Sequence, residues 1–147
     1  MQISEFLSAD DCLVDVRAAD KGALLRELAR HAATVAGLDV PAIVGAIEKR
    51  EQIGSTGMGG GIAIPHARIA GLARPVGVLA RLRRGIDFAA IDGKDVDLVF
   101  LLLLPADARG ESLPALAAVA RRLRDAAVAT RLRDAADRAA LYQVITA

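Results

Sequence analysis

The sequence predicts an α/β or α+β domain in which a small, mostly apolar sheet is covered by helices on both faces. Segments with apolar residues at three- and four-residue spacing alternate with short apolar runs, as in a layered domain. The run from Val96 to Leu104 is nearly continuous and ends at Pro105, which is typical of a central strand buried on both faces. A length of 147 residues fits one domain spanning 1–147.

Two helices are predicted in the first third of the chain. Asp20 caps the start of a helix over 20–36, and Gly37 is a natural end. Its apolar face comprises Leu24, Leu25, Leu28, Ala32 and Val35. Asp39 caps a second helix over 40–51, which has Pro41 in its first turn. The apolar stripe of this helix is Ile43, Val44 and Ile47.

A glycine-rich segment then interrupts the helical pattern. Residues 54–61 read Gly-Ser-Thr-Gly-Met-Gly-Gly-Gly. This segment cannot be a stable helix, because each glycine costs roughly 1 kcal/mol relative to alanine. We expect a loop that leads into a short strand over 62–64, which Pro65 ends.

Strands and then helices are predicted for the rest of the chain. Residues 76–83 alternate as a strand with one wetter face, and 91–94 form a turn before the central strand. A helix over 113–124 follows, with Ser112 as its cap. Its apolar side is Leu113, Leu116, Ala120 and Leu123. Two short Ala/Arg-rich helices are expected near 126–133 and 137–145, starting at Asp125 and Asp137.

Composition excludes several classes of function. The net charge of +1 and the aromatic content of 3% argue against nucleic-acid binding, which needs a basic face or stacking platforms. The single Cys12 excludes an internal disulfide and a cysteine-cluster zinc site, and its apolar flank indicates a buried structural thiol. No apolar run approaches the roughly 20 residues of a membrane helix, and the N-terminus lacks a signal-peptide pattern. We therefore expect a cytoplasmic protein without membrane insertion.

The chemistry is expected around one of the two histidines. His31 lies in the first helix with nothing converging on it, so a partly buried helical role is favoured. His66 follows the glycine segment and Pro65, with Arg50 before it and Arg68 after it. Glycine backbone amides, the hydroxyls of Ser55 and Thr56, and two guanidinium groups would together favour an anion. An imidazole there could act as a general acid or base, or as a nucleophile that accepts a phosphoryl group.

Other interpretations of the glycine segment are weaker. A Walker loop requires a lysine that is missing between Lys49 and Lys94, and a dinucleotide-binding pattern lacks its third glycine at position 62. A zinc site fails on the number of ligands, and neither a metal nor a cofactor is predicted. A flexible glycine loop with an incidental histidine remains open from spacing alone.

The stretch from Arg50 to Arg68 carries a family likeness. It reads Arg-Glu-x-x-Gly-Ser-Thr-Gly-x-Gly-x-Gly-Ile-Ala-Ile-Pro-His-Ala-Arg. It resembles the signature of the phosphotransferase-system IIA component of the mannitol/fructose class, which includes a nitrogen-regulatory branch. Further similar pieces lie at 85–88, 92–100, 121–123 and 141–142, so the resemblance covers almost the whole chain.

The resemblance implies a fold, a reaction and partners. The fold would be a mixed β-sheet with helices on both sides. His66 would be phosphorylated on its tele nitrogen by an HPr-like or NPr-like phosphocarrier protein, which enzyme I charges from phosphoenolpyruvate. The chain would be a phosphotransferase component whose partners are a IIB domain or regulatory target proteins. The phosphate pocket would comprise Arg50, Ser55, Thr56, Gly57, Arg68 and Ser112.

Ser112 marks a departure from the family pattern. It stands in the stretch 110–113, where family members often carry a second histidine. A serine can donate a hydrogen bond but carries no charge, which weakens the case for efficient onward transfer.

Three hypotheses about the branch stay open. The sequence has neither a IIB-like cysteine motif nor a membrane span, which favours a regulatory switch in nitrogen or potassium control. A free-standing fructose- or mannitol-type IIA component that passes phosphate to a IIB domain is the alternative. A paralogue that cannot be phosphorylated is the third.

Overall fold

The computed structural model describes residues 1–107 and 112–147, which form a mixed sheet between two layers of helices. The described strands are β1 (Cys12–Val16), β2 (Gly57–Gly59), β3 (Ile62–Ala63), β4 (His66–Ile69), β5 (Val76–Ile86) and β6 (Val96–Pro105). The described helices are α1 (Lys21–Ala36), α2 (Val40–Ile53), α3 (Ser112–Arg124), α4 (Ala126–Asp134) and α5 (Arg138–Thr146). The α/β fold with a mixed sheet is confirmed.

Strand β6 lies at the centre of this sheet. It pairs antiparallel with β5 on one side, and β5 pairs in parallel with β1. On its other side β6 pairs in parallel with both β3 and β4, which lie end to end along it, and β2 pairs antiparallel with β3. Every residue of β6 from Leu98 to Leu104 is at most 3% exposed, so the prediction of a doubly buried central strand is confirmed.

Alternate residues of β6 enter two separate cores. Leu98, Phe100, Leu102 and Leu104 pack with the buried faces of α3, α4 and α5. Val99, Leu101 and Leu103 pack with α1 and α2. Helices therefore cover both faces of the sheet, as the sequence predicts.

The predicted helix boundaries are confirmed to within two residues. Asp20, Asp39, Asp125 and Asp137 each accept a hydrogen bond from a backbone N–H in the first turn of a helix. Gly37 ends α1 with φ +67°, a left-handed conformation that glycine adopts without strain. α3 begins at Ser112, so Ser112 is its first residue and not a residue that precedes it.

Two apolar residues do not lie where the helical pattern places them. Val35 is 45% exposed at the end of α1, and Leu113 is 75% exposed at the start of α3. Both lie in terminal turns, where the neighbouring layer no longer covers the helix.

Strands β1, β2 and β4 were not expected from the sequence. β2 lies inside the predicted glycine loop, and β4 carries His66 itself. Each is short, and β4 alternates only two apolar residues with two polar ones, which is a weak pattern.

Cys12 lies in β1 as a buried thiol, as predicted. It has no exposed surface, and burial raises its pKa to about 12. His31 is half-buried and bonds through Nε2 to the Asp11 carboxylate at 2.9 Å, a structural role in agreement with the sequence.

Arg81 lies on the predicted wetter face of the strand over 76–83, but its guanidinium is bonded within the protein. Its Nη1 donates to the carbonyls of Leu132, Arg133 and Ala135, at the end of α4. Arg83 is exposed on the same strand.

Within the described ranges, every helix falls short of the length and apolarity that crossing a membrane requires.

Candidate functional site

His66 is the first residue of β4, and the pleat of this strand sets which way its ring points. It pairs with Leu102, so its backbone is attached directly to the central strand β6. Ala67 and Ile69 are buried in the core beneath α1 and α2. Because successive residues of a strand point to opposite faces, His66 and Arg68 share the other face. His66 is partly exposed there, and Arg68 is exposed.

One hydrogen bond fixes the tautomer of the His66 ring. Its Nδ1 lies 2.7 Å from the carbonyl oxygen of Ile64. A carbonyl oxygen only accepts hydrogen bonds, so Nδ1 must carry the proton and donate it. In the neutral ring the lone pair then resides on Nε2, the tele nitrogen.

Two clefts meet at His66. The first, of about 560 Å³, lies between the segment 55–58 and α3. The second, of about 540 Å³, lies between α2, β4 and α3. The residues that line both clefts are Arg50, His66, Leu113 and Leu116.

The two clefts are strongly basic. Their charged lining residues are Lys49, Arg50, Arg68, Arg121 and Arg124, and within the described ranges no carboxylate lines either cleft. The nearby Glu51 carboxylate is only 5% exposed and is paired with Lys21 at 2.8 Å. Five cations, with no carboxylate among the described lining residues, give both clefts a positive potential that favours an anion.

The structure brings Arg50, Arg68 and Ser112 together around His66. Arg50 Nη1 donates to the carbonyl of Gly54 at 3.0 Å, which holds the guanidinium beside the loop that precedes β2. Ser112 is buried in the lining of the second cleft, and its Oγ has no hydrogen-bond partner among the described residues. Of the stretch 110–113, residues 110 and 111 lie outside the described residues.

Ser55 and Thr56 line the first cleft, but their hydroxyls are engaged within the protein. Ser55 Oγ donates to the carbonyl of Phe88 at 2.7 Å and accepts from the N–H of Gly57 at 3.1 Å. Thr56 Oγ1 and its N–H both donate to the Glu51 carboxylate. These bonds give the segment its shape.

Gly57 is required by a close approach of two backbone segments. A Cβ at this position would lie 2.7 Å from Cβ and 2.9 Å from Cα of Ala90. Gly57 lies on β2, with its surface buried.

The consecutive glycines do not form the anion cradle that the sequence suggested. Gly59, Gly60 and Gly61 all have positive φ and lie outside the lining of both clefts. Gly59 ends β2, and Gly60 and Gly61 form the turn to β3. The N–H of Gly60 donates to the exposed Asp92 carboxylate. Backbone N–H groups of Lys94 and Gly60 hold the pKa of Asp92 below its usual range.

Sequence reasoning placed Ser112 of α3 in the pocket but missed Lys49 and two arginines of α3. Arg121 and Arg124 line the first cleft, and Lys49 lines the second. The spacing of three between Arg121 and Arg124 places them on one helix face with Leu113 and Leu116. That spacing was the available signal, although nothing in the sequence connects these two arginines to His66.

Known proteins resemble this chain over its length. The model of the family described as phosphoenolpyruvate-dependent sugar phosphotransferase system, EIIA 2, matches residues 5–147. The nitrogen regulatory protein of Bradyrhizobium diazoefficiens is 41% identical over 145 residues, which are 99% of this chain and 95% of that protein. The fructose-specific EIIA component of Haloferax volcanii is 40% identical over 85 residues, 58% of this chain and 55% of that protein. The crystal structure of nitrogen regulatory protein IIA-Ntr from Neisseria meningitidis matches with a TM-score of 0.93 and 31% identity, covering 98% of this chain and 99% of that one.

Proposed function

The chain belongs to the EIIA type-2 family of the phosphoenolpyruvate-dependent phosphotransferase system, and on that premise we propose that it carries a phosphoryl group on Nε2 of His66. The observation that carries this proposal is the 2.7 Å bond from Nδ1 to the carbonyl of Ile64, which leaves Nε2 as the nucleophilic nitrogen. The role of the chain is that of a phosphotransferase component.

The transfer step needs only a lone pair and charge neutralisation. Nε2 of His66 attacks the phosphorus atom of a phosphohistidine on the donor protein. The new N–P bond forms as the donor's N–P bond breaks, and the donor's imidazole, which already carries a proton on its other ring nitrogen, leaves as a neutral ring. The proton on Nδ1 of His66 stays in place, because its bond to Ile64 is already made. Positioning and electrostatic stabilisation dominate such a reaction.

Arg50 and Arg68 are the groups that we propose to hold the phosphoryl oxygens. Both line the second cleft beside His66 and keep guanidinium N–H groups available to oxygens there. The Ser112 hydroxyl in the same cleft would donate one neutral hydrogen bond. Ser55, Thr56 and Gly57 shape the opposite wall through the internal bonds described above.

The donor is proposed to be an HPr-like or NPr-like phosphocarrier protein that docks over both clefts. The exposed Leu113 and the partly buried Leu116 and Met58 offer it apolar contact around His66. Rim arginines 121 and 124 would attract a phosphorylated, acidic surface.

A regulatory switch is the proposed output. The nitrogen regulatory relative and IIA-Ntr match nearly the full chain, which supports target proteins that distinguish the phosphorylated form from the free one. The second candidate is onward transfer to a sugar-specific IIB domain, and the fructose-specific relative supports it over a shorter stretch.

The test is transfer from a charged carrier. The protein is incubated with phosphoenolpyruvate, enzyme I and HPr, and its intact mass is followed. We expect an acid-labile gain of about 80 Da, one phosphoryl group, in the wild type and in His31→Ala, the matched histidine control. His66→Ala should show no gain. A gain that persists in His66→Ala would contradict the assignment.

A purified IIB domain then separates the two outputs. Transfer of the phosphoryl group to IIB within seconds would favour a role in transport. A phosphoryl group that remains on His66 would favour the regulatory switch.

A further inference from the structure

A continuous line of contacts runs from the start of α1 to the His66 ring. We propose that Glu51, held by Lys21, is a positioning residue that keeps the proton of His66 on Nδ1. The inference deepens the proposed function and rests on it, since it concerns how the nucleophilic nitrogen is prepared. The central residue of this series of contacts is Glu51, whose buried carboxylate lies in the last turn of α2.

The first link is the Glu51 carboxylate. Its side chain is 5% exposed, and such a charge is stable only when it is fully compensated. Lys21 Nζ lies 2.8 Å from Oε1, and Nζ also lies 4.5 Å from the Phe88 ring centroid. Lys21 is itself 24% exposed, so the pair is held at the edge of the core.

The second link is Thr56, which Glu51 holds at two atoms. The Thr56 N–H donates to Oε1 at 3.1 Å, and the Thr56 hydroxyl donates to Oε2. Two bonds from one carboxylate to one residue fix its orientation, because both must be broken before it turns.

The third link passes from Thr56 to the ring through Ile64. The Thr56 carbonyl accepts the N–H of Ile64 at 3.1 Å, and the Ile64 carbonyl accepts Nδ1–H of His66 at 2.7 Å. The next residue, Pro65, is anchored to Leu102 of β6 at 2.9 Å. Thr56 therefore holds Ile64 on the side of the loop, and β6 holds Pro65 on the side of the sheet.

The hydrogen bond from Nδ1 to the Ile64 carbonyl matters because an unconstrained imidazole prefers the tautomer with its proton on Nε2. In free histidine the proton resides mainly on Nε2, which would leave no lone pair at the tele nitrogen. The Ile64 carbonyl reverses this preference only while it points at Nδ1. A loosened Thr56 would release Ile64, and the population of nucleophilic ring would fall.

The experiment compares variants that remove a contact between Lys21, Glu51 and Thr56 with variants that keep these contacts. Thr56→Val removes the hydroxyl and keeps the volume, whereas Thr56→Ser keeps the hydroxyl. Glu51→Gln removes the charge that pairs with Lys21. Asp11→Asn is the matched control, because Asp11 is also a buried carboxylate that accepts hydrogen bonds from a ring nitrogen of His31 and the hydroxyl of Ser8, and it lies outside this series of contacts.

Two readouts are taken on each full-length variant. Long-range ¹H–¹⁵N spectra at about pH 8.5, where an ordinary imidazole is neutral, report the tautomer of His66. Initial rates of phosphorylation by charged HPr report its reactivity. We expect Thr56→Val and Glu51→Gln to shift the ring toward Nε2–H and to slow transfer about tenfold, the factor for one lost charge-assisted hydrogen bond. Thr56→Ser, the conservative variant, should restore the Nδ1–H tautomer that Thr56→Val loses. Asp11→Asn should keep the wild-type tautomer and a rate within about twofold of wild type.

Each outcome decides the proposal. A wild-type tautomer and rate in Thr56→Val overturn it, and this variant decides alone if Glu51→Gln fails to fold. An equal loss in Asp11→Asn also overturns it, since the effect would then be general destabilisation. If the wild type accepts no phosphate at all, the proposed function fails, while the spectra of the unphosphorylated protein still test the positioning.

Discussion

Replacing Gly57 by alanine tests whether the close approach of β2 to the segment 88–92 shapes the site. The new Cβ would lie 2.7 Å from Cβ and 2.9 Å from Cα of Ala90. Carbon atoms in contact are ordinarily about 3.5–4.0 Å apart, so the two segments must separate by about 1 Å. A backbone atom cannot rotate away as a side chain does. We expect the free energy of unfolding to fall by about 1–3 kcal/mol, the usual cost of overpacking.

The same movement should reach the site. Ser55 Oγ donates to the carbonyl of Phe88, two residues before Ala90, at 2.7 Å. A shift of about 1 Å lengthens this bond beyond hydrogen-bonding distance. Phosphorylation of His66 should therefore slow in Gly57→Ala together with the loss of stability.

Urea unfolding at equilibrium measures the effect. Gly45→Ala is the matched control, since Gly45 lies inside α2 with no atom within 4 Å of the added Cβ. It should raise the free energy of unfolding by about 0.4–1 kcal/mol. Adding Ala90→Gly to Gly57→Ala should recover part of the loss, because the nearest atom is removed while the Ala90 Cα remains. A Gly57→Ala variant within about 0.5 kcal/mol of wild type would refute the reasoning.

Three further predictions concern other parts of the molecule. The folded state raises the pKa of Cys12 from 9.0 to about 12. The folded state therefore keeps a proton that the unfolded thiol releases. The free energy of unfolding should fall as pH rises from 9.0 toward 12. The contribution of this thiol to the pH dependence should be missing in Cys12→Ala. Arg81→Met should cost about 2–3 kcal/mol in urea unfolding, because three carbonyls of α4 lose a charged donor, whereas the exposed Arg83→Met should change little. Leu113→Ser should leave stability unchanged but raise the KM for charged HPr, and Ile91→Ser, 88% exposed and outside both clefts, should change neither.

The sequence predicted the layers of the fold because their signals are local. Aspartate caps and Gly37 set helix ends within one turn, and the apolar run of β6 is long enough to identify a central strand. β4 could not be predicted, because its four residues become a strand only by pairing with β6. The exposure of Leu113 could not be predicted either, because it depends on where the neighbouring layer of the fold ends.

The sequence identified most of the residues at the site, but it did not show what each of their side chains contacts. Arg50, His66 and Arg68 stand close in sequence to a recognisable motif, and the structure places them together. The hydroxyls of Ser55 and Thr56 looked like ligands for an anion, but their partners, Phe88 and Glu51, are visible only in three dimensions. Arg121 and Arg124 come from a helix more than fifty residues away along the chain, and only tertiary packing brings them to the clefts.

The pairing of His66 with Leu102 joins the proposed phosphoryl acceptor to the buried central strand β6. Because the backbone of His66 is hydrogen-bonded to this buried strand, we expect phosphorylation to leave the fold in place and to change only the sign of the local potential. A protein that distinguishes the two forms would then sense an electric field and not a shape. We expect that discrimination to weaken steeply as ionic strength approaches about 1 M, where charges more than about 3 Å apart are screened.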